Sequence, residues 1–148
     1  MQKTRLHEYC QSLVQQKLTS VEEALQAARG AAHQETKSSA GDKYETGRAM
    51  MHLEQEKLAR QRSEALKLKK VLDQINPRRV SEQIALGSLV TTSRGIFYVA
   101  VSLGSVAFEE ASCFVISPVA PLGQVLQGLR VGDTFPFGGA TETVDRIE

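Results

Sequence analysis

Apolar residues in the first part of the chain recur at alternating steps of four and three. The series is Val14, Leu18, Val21, Leu25, Ala28 and Ala32. This spacing is typical of a coiled-coil seam, because it keeps apolar side chains on one side of a helix. Leu6, Cys10 and Leu13 precede it with a phase slip of about one residue, as in a stutter. Ser20 and Glu23 have the spacing of a capping box, but the unbroken apolar pattern favours one continuous helix.

A second heptad series follows the polar segment KSSAG at residues 37–41. It places Tyr44, Met51, Leu58, Ala65 and Leu72 at one core position, with Leu68 and Ile75 at the other. Gly47, Glu54 and Gln61 occupy that second position nearer the turn, which predicts weak packing there. Asn76-Pro77 ends the helix, because proline disfavours helical geometry at the residue before it. We therefore predict an antiparallel coiled-coil hairpin over residues 1–76, with its tip near 37–45.

The second half changes to the pattern of β-strands. β-Branched and aromatic runs predict strands at 86–92, 96–103, 106–109, 113–116, 133–137 and 141–147. PLGQVLQ at 121–127 reads as a short helix with proline in its first turn and Gly128 after its end. The five Phe residues are expected in the core. The sequence thus predicts an α+β fold in which residues 80–148 form a small antiparallel β domain with one short helix.

Charge is distributed unevenly between the two halves. Residues 1–79 hold 15 Lys and Arg against 10 Asp and Glu, a net charge of +5, and residues 80–148 have a net charge of −4. No apolar run approaches the roughly 20 residues that span a bilayer, so we expect no membrane association. The N-terminus has no apolar stretch of signal-peptide length, and free thiols at Cys10 and Cys113 suit a reducing compartment. We expect a cytoplasmic protein.

Enzyme signatures are missing from the sequence. It has no glycine-rich phosphate loop, Cys-x-x-Cys, His-Glu-x-x-His or nucleophile elbow. His7, His33 and His52 all fall in the predicted hairpin, without partners at metal-ligand spacing, and are expected on its surface. The serines of the β domain have no histidine in their own domain. We therefore do not expect a self-contained enzyme.

Two carboxylates stand three residues apart at the predicted tip. Asp42 and Glu45 fit a capping box, in which both side chains satisfy free backbone donors at a helix start. They also fit a magnesium site, because Mg²⁺ in proteins is typically held by one or two carboxylates while other groups complete its octahedron. Spacing alone favours the capping interpretation. A single pair of carboxylates cannot hold the metal tightly, but it can share one that another macromolecule already binds.

Two segments resemble the Gre transcription elongation factors of bacteria. The first is Gly41-Asp42-Lys43-Tyr44-Glu45-Thr46, which matches the family's tip pattern Gly-Asp-x-x-Glu-Asn except at Thr46. The second runs from Pro121 to Asp133 and is similar to the family's C-terminal signature, a Ser-Pro, a short helix, Leu-x-Gly and Val-Gly-Asp. The resemblance implies a coiled-coil hairpin followed by an FKBP-like domain, in the order that the sequence pattern predicts.

The resemblance also implies a function. Gre factors insert their hairpin into the secondary channel of RNA polymerase and stimulate hydrolysis of the 3′ end of a backtracked transcript. Asp42 and Glu45 would then be the catalytic pair that helps to hold an Mg²⁺ shared with the polymerase, with none bound tightly by the isolated chain. Ser117, Pro118 and Pro121 would contact the polymerase at the channel rim. The basic helices would allow weak contact with DNA or RNA, and the nascent RNA would be reached only indirectly.

Departures from the family pattern keep other functions open. Ala120 stands before Pro121 where the family has serine, and Ser117-Pro118 lies three residues upstream. Arg48 and Ala49 replace residues that tend to be Glu and Tyr. The alternatives are a channel-binding inhibitor or regulator that does not stimulate cleavage, and a coiled-coil interaction protein unrelated to polymerase. Prolyl isomerase activity is not expected, because the sequence shows no rim of aromatic residues around an apolar pocket.

Overall fold

The computed structural model describes residues 1–37 and 41–148, and the side chains of residues 1–31 and 45–148. Two long helices come first, α1 at Lys3–Lys37 and α2 at Gly41–Gln74. The elements that follow are β1 Leu89–Thr92, β2 Gly95–Val99, β3 Gly104–Phe108, β4 Ala111–Ile116, α3 Pro121–Leu126, β5 Thr134–Phe137 and β6 Ala140–Ile147. The predicted α+β class is confirmed.

The two long helices run antiparallel. Side-chain hydrogen bonds between them include those from Gln11 to Asp73 (3.1 Å), from Arg62 to Glu22 (3.2 Å) and from Gln55 to the carbonyl of Ala28 (3.5 Å). In these three pairs, a higher residue number in α1 goes with a lower residue number in α2. The two helices therefore run in opposite directions. As predicted, α1 continues without a break through Ser20, and α2 ends just before Asn76-Pro77.

The heptad pattern predicts which helical side chains are buried. Buried positions include Leu6, Cys10, Val14, Leu18, Val21, Leu25, Leu58, Ala65, Leu72 and Ile75. Val21, Leu25 and Leu58 pack together as one small cluster. Toward the start of α2, Met51 is only half-buried and Glu54 is exposed at a core position. Packing is therefore weak around Met51 and Glu54, where a polar residue occupies a core position.

The chain divides into two compact units. One comprises Met1–Gln11 with Lys70–Glu148, and the other is Ser12–Lys69. The first contains the sheet together with the first turns of α1 and the last turn of α2. The second contains the rest of both helices, including the start of α2. No helix among the described residues is both long enough and apolar enough to cross a membrane.

The sheet has six strands in the order β3-β4-β2-β1-β6-β5. Every neighbouring pair is antiparallel except β2 and β4, which run parallel with Ile96 opposite Cys113 and Val99 opposite Ile116. The prediction of a purely antiparallel sheet is therefore wrong for this pair. An alternating pattern fixes which face of a strand is buried, but it does not fix which strand lies beside it.

Both faces of the sheet are covered within the first unit. One face carries the main core, formed by Ile84, Val90, Phe97, Val99, Leu126, Phe135 and Val144. The opposite face meets the start of α1, where the side chains of His7 and Tyr98 join in a hydrogen bond of 2.7 Å. Tyr9 stacks on Phe108 in the same region, with ring centroids 5.2 Å apart.

Two sequence predictions about side chains need correction. His7 is buried with only 3% of its surface exposed, whereas it was expected on the surface. His52 is exposed as expected, and the side chain of His33 lies outside the described residues. Phe97 and Phe135 are core residues, but Phe114 is 45% exposed, with one contact being its stacking on the Phe97 ring (centroids 5.7 Å apart).

Candidate functional site

The turn before α3 contains the three predicted polymerase contacts. Ser117 closes this turn twice, since its carbonyl accepts from the N–H of Ala120 (3.1 Å) and its hydroxyl accepts from the N–H of Val119 (3.3 Å). Pro121 is the first residue of α3, where its fixed φ suits the helix and its missing N–H costs nothing. Gln124 donates its side-chain amide to the carbonyl of Val119 at 2.8 Å. Hydrogen bonds to Ser117 at its start and from Gln124 in α3 therefore fix the conformation of the turn.

Gly123 fixes this turn against α3. A Cβ at this position would lie 2.1 Å from the carbonyl oxygen of Ser117 and 2.9 Å from the Cα of Pro118. Both are backbone atoms, so they cannot move aside as a flexible side chain would. The close approach of α3 to the turn therefore requires glycine.

The end of the C-terminal motif has a structural role. The carboxylate of Asp133 accepts a hydrogen bond from the N–H of Arg130 (2.8 Å), which closes the turn into β5. Gly132 has a φ of +92°, a conformation that favours glycine, and its N–H donates to the carbonyl of Val144 (2.8 Å). In the Val-Gly-Asp motif, the Gly132 N–H and the Asp133 carboxylate thus form hydrogen bonds within the domain that fix the turn.

The three predicted polymerase contacts differ in their exposure. Ser117 and Pro118 are half-buried, and Pro121 is exposed. Beside Pro121, Val119 is 74% exposed and Val125 is 40% exposed. Pro121 and Val125 are four residues apart, which places them on the same side of α3. We call Val119, Pro121 and Val125 the α3 surface. The sequence analysis missed both valines, although the four-residue spacing from Pro121 indicates Val125.

The predicted acidic tip lies at the start of α2, which begins at Gly41. The side chain of Glu45 is exposed. The side chain of Asp42 lies outside the described residues, so the choice between a capping box and a metal-binding pair stays a prediction. Among the described side chains, no three His, Cys, Asp or Glu residues come together in a way that could hold a metal ion.

Two cysteines and a histidine are buried where the start of α1 meets the sheet: Cys10 and His7 on α1, and Cys113 on β4. Burial raises the pKa of the Cys10 thiol to about 11 and that of Cys113 to about 12. Both thiols therefore stay protonated at neutral pH and are poor nucleophiles. Burial also lowers the pKa of His7, more than the neighbouring Leu72 carbonyl and acidic groups raise it. These side chains therefore lie in the interior of the fold.

Comparison with known proteins gives one structural likeness. No protein-family model matches the chain, and no curated protein matches it. The structure of the transcription factor Gfh1 is 22% identical over 93% of this chain and 92% of that chain, with a TM-score of 0.38.

Proposed function

We propose that this chain is an accessory factor of bacterial RNA polymerase that enters the secondary channel and stimulates transcript cleavage in backtracked complexes. The observation that carries the proposal is where its two Gre-like motifs fall. The segment Gly41–Thr46 opens the second of two antiparallel helices, and the signature from Pro121 to Asp133 covers α3 and the turn into β5. The positions of the two motifs along the chain support the proposal.

In this proposal Asp42 and Glu45 supply carboxylate oxygens to a magnesium ion that the polymerase also holds. Oxygen donors in this number suit Mg²⁺, which takes only one or two carboxylates from a protein. When bound, Mg²⁺ supplies Lewis acidity and an activated water. The two side chains hold and orient that ion from one helix start. The chain acts as a cofactor of the polymerase's own hydrolytic activity and is not an enzyme by itself.

The length and charge of the helices support the same proposal. α1 has 35 residues and α2 has 34, so at about 1.5 Å per residue each helix is about 50 Å long. Helices of this length suit insertion into a deep channel. The net positive charge of residues 1–79 favours a path close to nucleic acid and permits weak contact with it.

The α3 surface is the docking surface in this proposal. It is apolar, exposed and held on a turn with little freedom to rearrange, because Gln124 and Gly123 fix the turn against α3. A rigid surface loses little conformational entropy on binding. We therefore assign contact with the channel rim to Val119, Pro121 and Val125, and assign to Ser117 and Pro118 the task of shaping the turn.

One alternative has specific support. Thr46, Arg48 and Ala49 depart from the Gre pattern directly beside the acidic pair. These departures favour a factor that occupies the channel and inhibits or regulates transcription without cleavage. A coiled-coil interaction protein unrelated to polymerase would not bind the enzyme at all.

Binding of the chain to RNA polymerase separates both channel-binding functions from a coiled-coil protein unrelated to polymerase. We expect saturable binding, retained when Asp42→Asn and Glu45→Gln are combined, because the rim contact holds the complex. Val119→Asp should weaken binding by at least about tenfold, since it places a charge in an apolar contact. Val80→Asp is the matched control, because Val80 is 69% exposed in the same unit but lies outside the α3 surface. Absence of binding by the wild-type chain would contradict the proposal.

A further inference from the structure

A cavity of about 360 Å³ lies within the first unit, between the end of α2 and the segment that leads to β1. Its lining includes Gln74 at the end of α2 and, from the segment that follows, Asn76, Arg79, Leu86 and Ser88. We propose that this cavity binds a small organic anion, a phosphate or a carboxylate, with Arg79 as its charged contact. The site is independent of the polymerase function proposed above.

The charge of the lining favours an anion. None of the described residues that line the cavity is Asp or Glu, whereas Arg79 brings a permanent positive charge. No described acidic side chain forms an ion pair with Arg79. The groove on the helical hairpin is different, because Glu22 and Glu23 line it beside Arg62, and Arg62 is already paired with Glu22 at 3.2 Å.

The backbone around Arg79 is already fixed. Its carbonyl accepts a hydrogen bond from the buried Lys3 ammonium at 2.8 Å, and its N–H donates to the carbonyl of Asn76 at 3.1 Å. The side chain of Arg79 is exposed and carries the free charge. A ligand therefore has to order one side chain and no backbone, which lowers the entropic cost of binding.

The remaining lining suits an organic molecule better than a bare ion. The hydroxyl oxygen of Ser88 accepts from the N–H of Ala85 at 3.0 Å, which leaves its proton to donate to a ligand. Leu86 is 46% exposed on the same lining and offers an apolar contact. The volume falls at the lower end of the roughly 300–1,000 Å³ typical of small-molecule pockets.

The end of α2 determines how the ligand is oriented. Helix C-termini present free carbonyl groups and a partial negative charge, which disfavour an anion. Gln74 and Asn76 are at that end of the cavity. We therefore place the anionic group at Arg79 and a hydroxyl or amino group of the same molecule at the carbonyl end.

NMR titration of the full-length chain tests the site. The probes are inorganic phosphate, adenosine monophosphate and glutamate at constant ionic strength, and the readout is the amide shifts of residues 74–76, 79 and 85–88. We expect saturable shifts there with adenosine monophosphate or glutamate. Saturation by adenosine monophosphate shows that the site takes a phosphate, and saturation by glutamate shows that it takes a carboxylate. Saturation by inorganic phosphate alone overturns the proposal that the ligand is organic.

Two variants decide whether Arg79 is the contact. Arg79→Gln should weaken binding by about tenfold or more, since the variant loses a hydrogen bond between two charged groups. Arg78→Gln is the matched control, because Arg78 is an exposed neighbour that does not line the cavity, and it should change affinity less than twofold. The proposal is overturned if no probe gives saturable shifts, or if both variants weaken binding equally.

Discussion

At the scale of single residues, the hydrogen bond between His7 and Tyr98 joins the start of α1 to the sheet. Both side chains are almost fully buried, and their polar atoms lie 2.7 Å apart. Tyr98→Phe removes one partner and leaves the imidazole Nδ1 buried without it, which should lower the free energy of unfolding by about 1–3 kcal/mol. Urea denaturation measures this difference. If the urea midpoint and slope of Tyr98→Phe equal those of the wild type, the hydrogen bond does not stabilise the fold.

The same histidine gives the stability a pH dependence. Burial lowers the pKa of His7 below its ordinary value of 6.5, so the unfolded chain takes up this proton at a higher pH than the folded chain. The free energy of unfolding should therefore fall as the pH drops from about 6.5 towards the lowered pKa, and this group adds no further loss below it. We expect unfolding free energies at about pH 7.5 and 5.5 to differ less in His7→Gln than in the wild type.

His52→Gln is the control for this pH dependence, because His52 is exposed on α2. It should keep the wild-type difference between the two pH values. If His7→Gln also keeps it, the dependence comes from other groups and the burial of His7 does not cause it.

At the scale of elements, two glycines should respond to alanine in opposite directions. Gly30 lies within α1, and a Cβ added there meets nothing within 4 Å. Gly30→Ala should raise the free energy of unfolding by about 0.5–1 kcal/mol, because alanine loses less backbone entropy in a helix. Gly123→Ala should lower it by at least about 1–3 kcal/mol, because the new methyl group meets the Ser117 carbonyl.

Urea unfolding of both variants measures these changes, and each serves as the control for the other. Destabilisation by Gly30→Ala would show that α1 does not continue through this position. Unchanged stability in Gly123→Ala would show that the turn before α3 is not packed against the helix as described.

Most elements could be predicted from the sequence because their patterns are local. The heptads locate α1 and α2, since burial of one face of a long helix repeats every seven residues. The alternating runs locate the strands to within a few residues. The parallel pairing of β2 with β4 could not be predicted, because it depends on where the β3–β4 hairpin packs and not on the residues of either strand.

The site was predicted less completely than the fold. The motif from Pro121 to Asp133 directs attention to this region, but the sequence does not show that Ser117 and Asp133 are engaged in closing turns. Nor does it show that Val119 is the most exposed apolar side chain there. Burial of His7 was missed for a related reason, since its partner Tyr98 lies 91 residues away.

At the scale of the whole molecule, the proposed function divides between the two units. Docking belongs to the α3 surface in the first unit, and chemistry belongs to the helix start at Asp42 and Glu45 in the second. This division predicts that binding and cleavage can be lost separately. Variants of the α3 surface should raise the concentration needed for half-maximal cleavage, and variants of the acidic pair should lower the maximal rate.

The central claim is that the acidic pair stimulates RNA cleavage. The most direct measurement is the rate of RNA shortening in backtracked RNA polymerase complexes at saturating concentrations of the chain. The wild type should accelerate shortening, and Asp42→Asn with Glu45→Gln should reduce the acceleration by roughly 100-fold, as expected for groups that act electrostatically in the transition state. Glu56→Gln, an exposed carboxylate elsewhere on α2, should leave it unchanged. Equal shortening with the double variant and the wild type would contradict the account.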